Sequence, residues 1–391
     1  MRGLLQDLRV TIDGEHHITL HVVNIEFFQT ITTPVFSGTL TIMDSTDLIN
    51  TINLRKGSKI EIFFTKEHVD IKGYKDVSVQ FVVYKVGNKV QVTQQSYLYT
   101  VHVASSAFID NATTRLIKSL KNEGTAAVAE IVKESFSGYT LVCEKQSTSK
   151  VHINVSNKSP FIAISEILRH THYNGVADYL FYQSDNNEFT CISMQTMLER
   201  DSGITFMQLP NGTTASRYPY NILDFKIDHF DGALNLSQGF YENTVMVYDA
   251  VNKKFTSTVS KNDTDNKSLS DGEVFKNQKN ASISRHAVND AHQNKDVTAW
   301  GSSRKMSLLR LEQEKVILQC EGTAEIFSKI GCAAELLLPN PNHDDDLNIY
   351  PHDRKRSGKY IITGIKHNLN AQRYLVTVEL VKRAFEPIQS E

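Results

Sequence analysis

The chain has few cysteines and almost no tryptophan, and each scarcity argues against a class of protein. Its 391 residues include four cysteines and a single tryptophan, Trp300. Four scattered cysteines are too few for a small disulfide scaffold, and one tryptophan offers little stacking surface for a carbohydrate-binding adhesin. Cysteines in apolar runs normally pack as small reduced hydrophobes. We therefore expect buried free thiols at Cys143, Cys191, Cys320 and Cys332.

Long hydrophobic runs and an excess of one charge are missing as well. No stretch approaches the roughly 18 consecutive apolar residues that a membrane-spanning helix needs, and residues 1–7 lack the apolar core of a signal peptide. Lys and Arg number 42 against 44 Asp and Glu, whereas nucleic-acid or membrane binding usually needs a clear basic excess. The composition is typical of a globular chain of two to four domains that folds in a cytoplasm.

Motifs of known enzyme chemistry are also missing. The sequence has no Gly-x-x-x-x-Gly-Lys, Gly-x-Gly-x-x-Gly, Cys-x-x-Cys or His-Glu-x-x-His, so nucleotide and common zinc chemistry are not indicated. The acidic stretch 343–346, with His352 nearby, is better explained as a solvated loop than as a metal cluster. Asp263 and Asp265 begin like a calcium loop, but Lys267 stands at the third ligand position and the turn glycine is absent.

The remaining polar candidates have structural explanations. His170 and His172 fall at the end of a predicted helix, where imidazoles interact favourably with the helix dipole. The pair 16–17 (His-His) lies in a predicted exposed turn. Glu166 and Glu335 could in principle pair for glycoside hydrolysis, but nothing in the sequence brings two carboxylates together. We therefore predict no catalytic, cofactor-binding or metal-binding residue, and a protein that is not an enzyme.

Strand patterns dominate both ends of the chain. Residues 8–108 contain runs of β-branched and aromatic residues separated by Gly, Asn and Asp, which predicts a β-barrel or sandwich of five or six strands. Strands return over 221–391. They are interrupted by a polar excursion at about 251–297 and by a predicted helix at about 303–313.

Between these regions, residues 109–220 read as a smaller mixed α/β unit. Helical composition covers 113–121 and 125–136. A third helix is better marked, because Ser159 is a plausible N-cap and Pro160 occupies the first helical position, which proline prefers. A hairpin is predicted over 179–192, with its turn at 184–187.

One series of strand sequences occurs twice. The segments 97–103 and 374–380 share the pattern Tyr-Leu-x-Thr-Val, and each leads to Ala-Phe. Three more pairs match: 57–64 with 331–338, 81–83 with 360–362, and 39–44 with 244–249. Glu335 recurs as Glu61 in one pair, so an architectural role explains it better than catalysis. Such ordered matches are hard to obtain by chance and predict one domain type present twice.

Several further features follow one another along nearly the whole chain. A Thr-rich segment at 30–33 precedes a strand ending in Asp-Ser at 41–45, and a helix leads into a Phe-rich hairpin over 161–182. A late helix carries Arg-Leu-Glu-Gln at 310–313, and Tyr-x-Ile-x-x-Ile-x-His follows at 360–367. In the order of these features and in their residue composition, the chain resembles the hub protein of contractile-tail phage baseplates.

That resemblance implies a mainly β fold with α+β insertions. It implies two tube-like β-barrel domains of one type, at 1–108 and 221–391, and a smaller mixed α/β domain at 109–220. It further implies a homotrimer whose six barrels form a pseudo-hexameric ring, which adapts a hexameric tail tube to a trimeric central spike and leaves a channel for the genome.

The same resemblance implies the setting of the protein. Expected partners are further copies of the chain, the tail tube or its initiator, the central spike protein and other baseplate proteins, while DNA only passes through. The expected location is the tail baseplate of a virion, after assembly in the host cytoplasm. A hub or spike component of a bacterial contractile or type VI-like secretion machine is the main alternative, and a tail-associated cell-wall hydrolase is less favoured.

Overall fold

The protein folds mainly into β-sheets, with helices concentrated in the middle of the chain. The computed structural model describes residues 5–52, 54–68, 73–87, 89–173, 176–208, 220–228, 232–240, 242–249, 252–261, 283–288, 297–311, 314–340, 352–353 and 356–382. The predicted mainly β class with helical insertions is confirmed.

The N-terminal region forms strands and one short helix. These elements are β1 (Gln6–Ile12), β2 (His16–His17), β3 (Val22–Thr30), β4 (Ser37–Asp44), α1 (Leu48–Thr51), β5 (Lys59–His68), β6 (Gly73–Val86), β7 (Val90–Thr93) and β8 (Ser96–Ala104). Burial alternates along β3 and β4, because successive side chains of a strand point to opposite faces of its sheet. One face of this region therefore packs on the core and the other stays partly exposed.

The middle of the chain is a mixed unit with a hydrophobic core of its own. Its elements are α2 (Ser106–Thr113), β9 (Leu116–Glu123), α3 (Gly124–Ser135), β10 (Thr140–Val142), β11 (Lys150–Lys158), α4 (Pro160–Arg169), β12 (Tyr179–Asp185), β13 (Glu188–Ser193) and α5 (Met194–Glu199). The predicted helix at 125–136, the α4 start at Ser159 and Pro160, and the hairpin are confirmed.

The helix predicted over 113–121 is wrong, because most of that segment is strand β9. Leu116 and Leu120 are buried on one face of β9, and β9 pairs antiparallel with β11. Val151 and Val155 of β11 are buried on the same side. The apolar residues Leu116 and Leu120 therefore serve a half-buried strand, and their spacing of four fits the strand period as well as the helical one.

The C-terminal region returns to strands. Its elements are β14 (Asp201–Met207), β15 (Asp224–Asp228), α6 (Gly232–Gln238), β16 (Glu242–Asp249), β17 (Lys254–Lys261), β18 (Ile283–Val288), α7 (Val297–Arg310), β19 (Lys315–Glu321), β20 (Ala333–Leu337), β21 (Gly358–Leu369) and β22 (Tyr374–Val381). Among the described residues no helix combines the length and apolar character of a membrane span.

The polar excursion and the late helix differ from their predictions. Within 251–297 the structure places β17 and β18, which pair with β16 in a three-stranded sheet; most of the excursion's remaining residues lie outside the described ranges. The polar composition of β17 is compatible with a strand because its described residues are largely exposed. Helix α7 starts at Val297 and ends at Arg310, earlier at both ends than the predicted 303–313.

The two terminal regions share one strand order within a single 14-stranded sheet. Hydrogen-bonded neighbours run β3-β4-β8-β6-β5-β1 in the first region and β15-β19-β22-β21-β20-β14 in the second. Along the chain, the strands of the two sets occupy the corresponding positions of the sheet in the same succession. Strand β14 belongs to the second set by this order, although it precedes residue 221. The outermost strands differ in direction, since β1 is antiparallel to β5 and β14 is parallel to β20.

The pairing register is shared as well. Val83 of β6 lies opposite Val103 of β8, and at the equivalent place Ile362 of β21 lies opposite Leu380 of β22. In both pairs the register shifts by one residue directly after that point, which marks a β-bulge. Three of the four predicted sequence matches therefore fall on strands in equivalent places. They are the matches of 57–64, 81–83 and 97–103 with their partners.

The fourth match is wrong. Residues 244–249 form β16, which lies in the separate three-stranded sheet. The strand that occupies the place of β4 is β19, because Leu40 of β4 faces Val101 of β8 as Leu318 of β19 faces Val378 of β22. Strands with alternating apolar residues look alike in sequence, and the hydrogen-bonding partner distinguishes them.

The same glycine turn opens the equivalent strands β5 and β20. Gly57 and Gly331 both have positive φ, +95° and +74°, a conformation that favours glycine. The N–H of Gly57 donates to the carbonyl of Val83 at 2.7 Å, and the N–H of Gly331 donates to that of Ile362 at 2.9 Å. The repeated register thus extends to the hydrogen bonds of the turn.

Candidate assembly interface

The two strand sets meet at one pair of strands, β3 and β21. These strands are antiparallel, with Thr30 opposite Gly364 and Ile25 opposite Leu369. This pairing, which we call the junction, joins the two sets into a continuous sheet. Because β21 also pairs with β22 along its length, its residues 364–369 have a neighbour on each side.

A buried chain of side-chain hydrogen bonds crosses the junction at His367. Its Nδ1 lies 2.7 Å from the hydroxyl of Tyr374, and its Nε2 lies 2.9 Å from Oε1 of Gln29. The amide nitrogen of Gln29 donates to the carbonyl of Phe327 at 3.0 Å. Oε1 of Gln29 is a carbonyl oxygen and can only accept a hydrogen bond. Nε2 therefore carries the proton, and Nδ1 accepts from Tyr374.

Burial keeps this imidazole neutral. His367 is fully buried, and desolvation lowers its pKa to about 3 because a charge in an apolar interior is unfavourable. Desolvation likewise raises the pKa of Tyr374 well above its ordinary value. Both groups are therefore uncharged at neutral pH, as their hydrogen bonds require.

Aromatic rings from the first strand set and from the segment between β19 and β20 surround the hydrogen-bonded chain. Phe27 stacks on His367 with ring centroids 4.2 Å apart. Phe27 also contacts Phe81 at 5.8 Å and Phe327 at 6.0 Å. Such contacts add to the free energy of burying the rings. The junction is therefore a packed core with one satisfied polar network, and the two sets form one body there.

The opposite face of the sheet is polar and partly exposed. We call this the polar face. Across the junction, the ammonium of Lys366 lies 3.1 Å from a carboxylate oxygen of Glu26, and the amide of Asn368 donates to Glu26 at 3.2 Å. Further along, Lys315 lies 3.7 Å from Glu379. Carboxylates and ammonium groups thus offset one another across neighbouring strands.

Two strand edges equivalent to those of the junction are open. Strand β15 holds the place of β3 but pairs with β19 alone among the described residues. The end of β6 together with β7 holds the place of residues 364–369. Within the described chain, β7 and the part of β6 after Val83 pair only with β8. An unpaired strand edge presents backbone donors and acceptors to another strand.

The candidate site residues of the sequence do not converge. Glu61 accepts a hydrogen bond from Ser78 at 2.7 Å and Glu335 one from Thr205 at 3.3 Å, each from a neighbouring strand. Residues 343–346, Asp263, Asp265 and Lys267 lie outside the described residues. Within the described ranges no group of three or more His, Cys, Asp or Glu is arranged to hold a metal ion.

The other candidates are dispersed too. His170 follows the last residue of α4, where a C-terminal imidazole was predicted, and 16–17 form the exposed strand β2. Glu166 forms an ion pair with Lys158. Cys191, Cys320 and Cys332 are buried free thiols, as predicted, whereas Cys143 is only partly buried.

Sequence reasoning missed the role of His367. The residue closes the pattern Tyr-x-Ile-x-x-Ile-x-His, but its partner Gln29 lies 338 residues away. A histidine at an inward position of a predicted strand was the available signal, because a buried polar side chain needs a partner.

Solved structures share this fold over nearly their whole length. The tail protein from Neisseria meningitidis MC58 superposes with a TM-score of 0.61 at 13% identity, covering 97% of this chain and 98% of that chain. The 43 kDa tail protein of prophage MuSo2 from Shewanella oneidensis gives 0.57 at 10% identity, covering 98% and 100%. The chain has the fold of a phage tail protein. The predicted resemblance is thereby confirmed at the level of fold.

Another solved structure shares the fold over part of its length. In the lidded PdpA–VgrG complex of Francisella, the similar chain gives a TM-score of 0.51 at 9% identity. The match covers 99% of the present chain but 54% of that one. No protein-family model and no curated protein matches the sequence.

Proposed function

We propose that the protein is the structural hub of a phage-type tail baseplate. Three chains would contribute two tube-like barrels each, within 1–108 and 221–391 with β14 added to the second, and the rest of the unit at 109–220 would face outward. The six barrels would form a pseudo-hexameric ring that adapts a hexameric tail tube to a trimeric central spike. One observation carries this proposal: the same strand order, register and bulge occur twice in one chain.

The repeat supports a symmetry adaptor for a geometric reason. A threefold ring of a duplicated unit presents six similar surfaces to one partner and three identical surfaces to the other. The proposed partners are accordingly the tail tube or its initiator, the central spike and other baseplate proteins. The proposed location is the virion tail, after assembly in the host cytoplasm.

The polar face would line the channel of this ring. A water-filled channel requires polar side chains, and this face is partly exposed in the single chain. Glu26 and Glu379 are each paired with a lysine, so little unpaired positive charge would hold DNA phosphates during passage.

A second candidate is a spike component of a contractile or type VI-like secretion machine. The likeness to the chain of the Francisella PdpA–VgrG complex favours it. The tail proteins of Neisseria and Shewanella have higher TM-scores and match in total length, so we favour the hub.

Mass photometry of the purified protein tests the hub proposal. We expect a particle of three 44.2 kDa chains at micromolar concentration, and end-on micrograph averages with threefold or pseudo-sixfold symmetry. A monomer at that concentration, together with tail assemblies that show no ring, would overturn the proposal.

A further inference from the structure

Two edges of the sheet correspond to the two strands of the junction, but neither edge has a partner strand among the described residues. We infer that β15 of one chain pairs antiparallel with the edge formed by the end of β6 and by β7 of a second copy, as β3 pairs with β21. This inference rests on the proposed hub and names the strands that connect its subunits.

The strand order provides the first argument. Strand β6 occupies the place of β21 beside β8, and β15 occupies the place of β3 beside β19. Inside the chain the β21 and β3 edges are paired with each other, whereas the equivalent two edges are open in the described residues. Six strands separate β15 from β6 in the order of the sheet. Another copy can supply the missing strand at each edge, and such a head-to-tail contact generates a ring when its rotation closes.

Burial of the inward-facing apolar residues provides the second argument. At the junction, Ile25 and Phe27 of β3 are 1% and 0% exposed. Their counterparts in β15, Phe225 and Ile227, are only partly buried against the same core. Val86 of β6, the counterpart of the 1% exposed Ile365, is partly buried too. The side chains that a neighbouring strand would cover are therefore the ones left incompletely covered.

The junction also fixes the register of the inferred pair. Val90 lies opposite Leu98 of β8, as Asn368 lies opposite Leu375 of β22. Val90 therefore takes the place of Asn368. In β15 the counterpart of Glu26 is Lys226. Because Asn368 and Glu26 face each other across the junction, Val90 of one copy is expected opposite Lys226 of the next.

The exposure of the two positions agrees with that register. Val90 is 59% exposed and the Lys226 side chain is 70% exposed, so both are accessible in a single chain. A neighbouring strand could therefore reach both positions without displacing another part of the chain.

Disulfide trapping tests the pairing in the full chain. We would introduce V90C and K226C together, in a Cys143→Ser background that removes the partly exposed native thiol. Directly opposite residues of antiparallel strands have Cα atoms about 4.5–5.5 Å apart, within the range of a disulfide. Mild oxidation should give covalent dimers and trimers on a non-reducing gel, with the trimer as the end point.

Two matched pairs serve as controls. E26C with N368C should close a disulfide within one chain and leave its mass on the gel unchanged. V90C with D224C places the second cysteine two residues along β15, about 7 Å from the expected position, and should crosslink at least tenfold more slowly.

The outcomes separate this inference from the hub proposal. If mass photometry shows a trimer but V90C with K226C does not crosslink while the E26C–N368C control does, the inferred pairing is overturned and the hub stands. Covalent chains that extend without closing at three would keep the pairing and overturn the threefold ring. Equal crosslinking by the D224C pair would overturn the register.

Discussion

Acidification should destabilise the junction through His367. The imidazole has an ordinary pKa of about 6.5 in an unfolded chain, and burial lowers its pKa to about 3 in the folded protein. The unfolded state therefore binds a proton at a higher pH than the folded state does. The stability that depends on the neutral ring is fully present above about pH 6.5 and is lost as the pH falls toward 3.

The size of this effect follows from the two pKa values. Between them, each pH unit costs about 1.4 kcal/mol of unfolding free energy for one proton. Acidification to pH 5, which is about 1.5 units below the ordinary pKa, should cost about 2 kcal/mol. Local charges do not offset this cost, because Gln29, Tyr374 and Phe27 contact the ring and none of them carries a negative charge at these pH values.

Urea unfolding between pH 7.5 and 5 measures the effect, with His367→Gln as the matched variant. Glutamine does not titrate and keeps a donor and an acceptor. We expect the variant to be less stable at pH 7.5, because its amide cannot reproduce the ring packing on Phe27. Its disadvantage should shrink by about 2 kcal/mol at pH 5, since carboxylates titrate equally in both proteins. A difference that stays constant within about 0.5 kcal/mol would refute the reasoning.

Two further predictions concern the turn glycines Gly57 and Gly331 and the ion pair on the polar face. Gly57→Ala should lower the free energy of unfolding by about 1 kcal/mol through backbone strain alone, since an added Cβ would meet nothing within 4 Å. Gly331→Ala should lower it by about 2–3 kcal/mol, since its Cβ would also collide with the hydroxyl of Tyr182. Equal shifts in thermal melting would contradict this difference. A double-mutant cycle of Lys366→Ala and Glu26→Ala should give a coupling of about 0.5 kcal/mol that falls in 1 M salt, and a coupling that salt does not change would exclude an ion pair.

The sequence was most informative where strands carry distinctive turns. The segments around Gly57 and Gly331 could be matched because the positive φ of each turn restricts the residue to glycine. The pair β4 and β19 was missed because only their inward residues correspond, such as Leu40 and Leu318. Their outward residues have no common requirement, so the strands differ there.

The candidate interface was much less predictable. Its hydrogen bonds join Gln29 to His367 over 338 residues, and no local pattern encodes such a partner. Which edges of the sheet remain open is likewise a property of the complete strand order. The mainly β class and the hairpin depend on neighbouring residues and were therefore accessible from the sequence.

The junction also has a consequence for synthesis of the chain. Strand β3 leaves the ribosome early, whereas its partner β21 follows more than 330 residues later. At 5–20 residues per second this interval lasts roughly 20–70 s, during which β3 has an unpaired edge. Contacts so distant in sequence also slow folding. A nascent first half therefore carries an edge complementary to β21, and pairing with β21 of another chain whose own junction has not yet closed would exchange segments between copies.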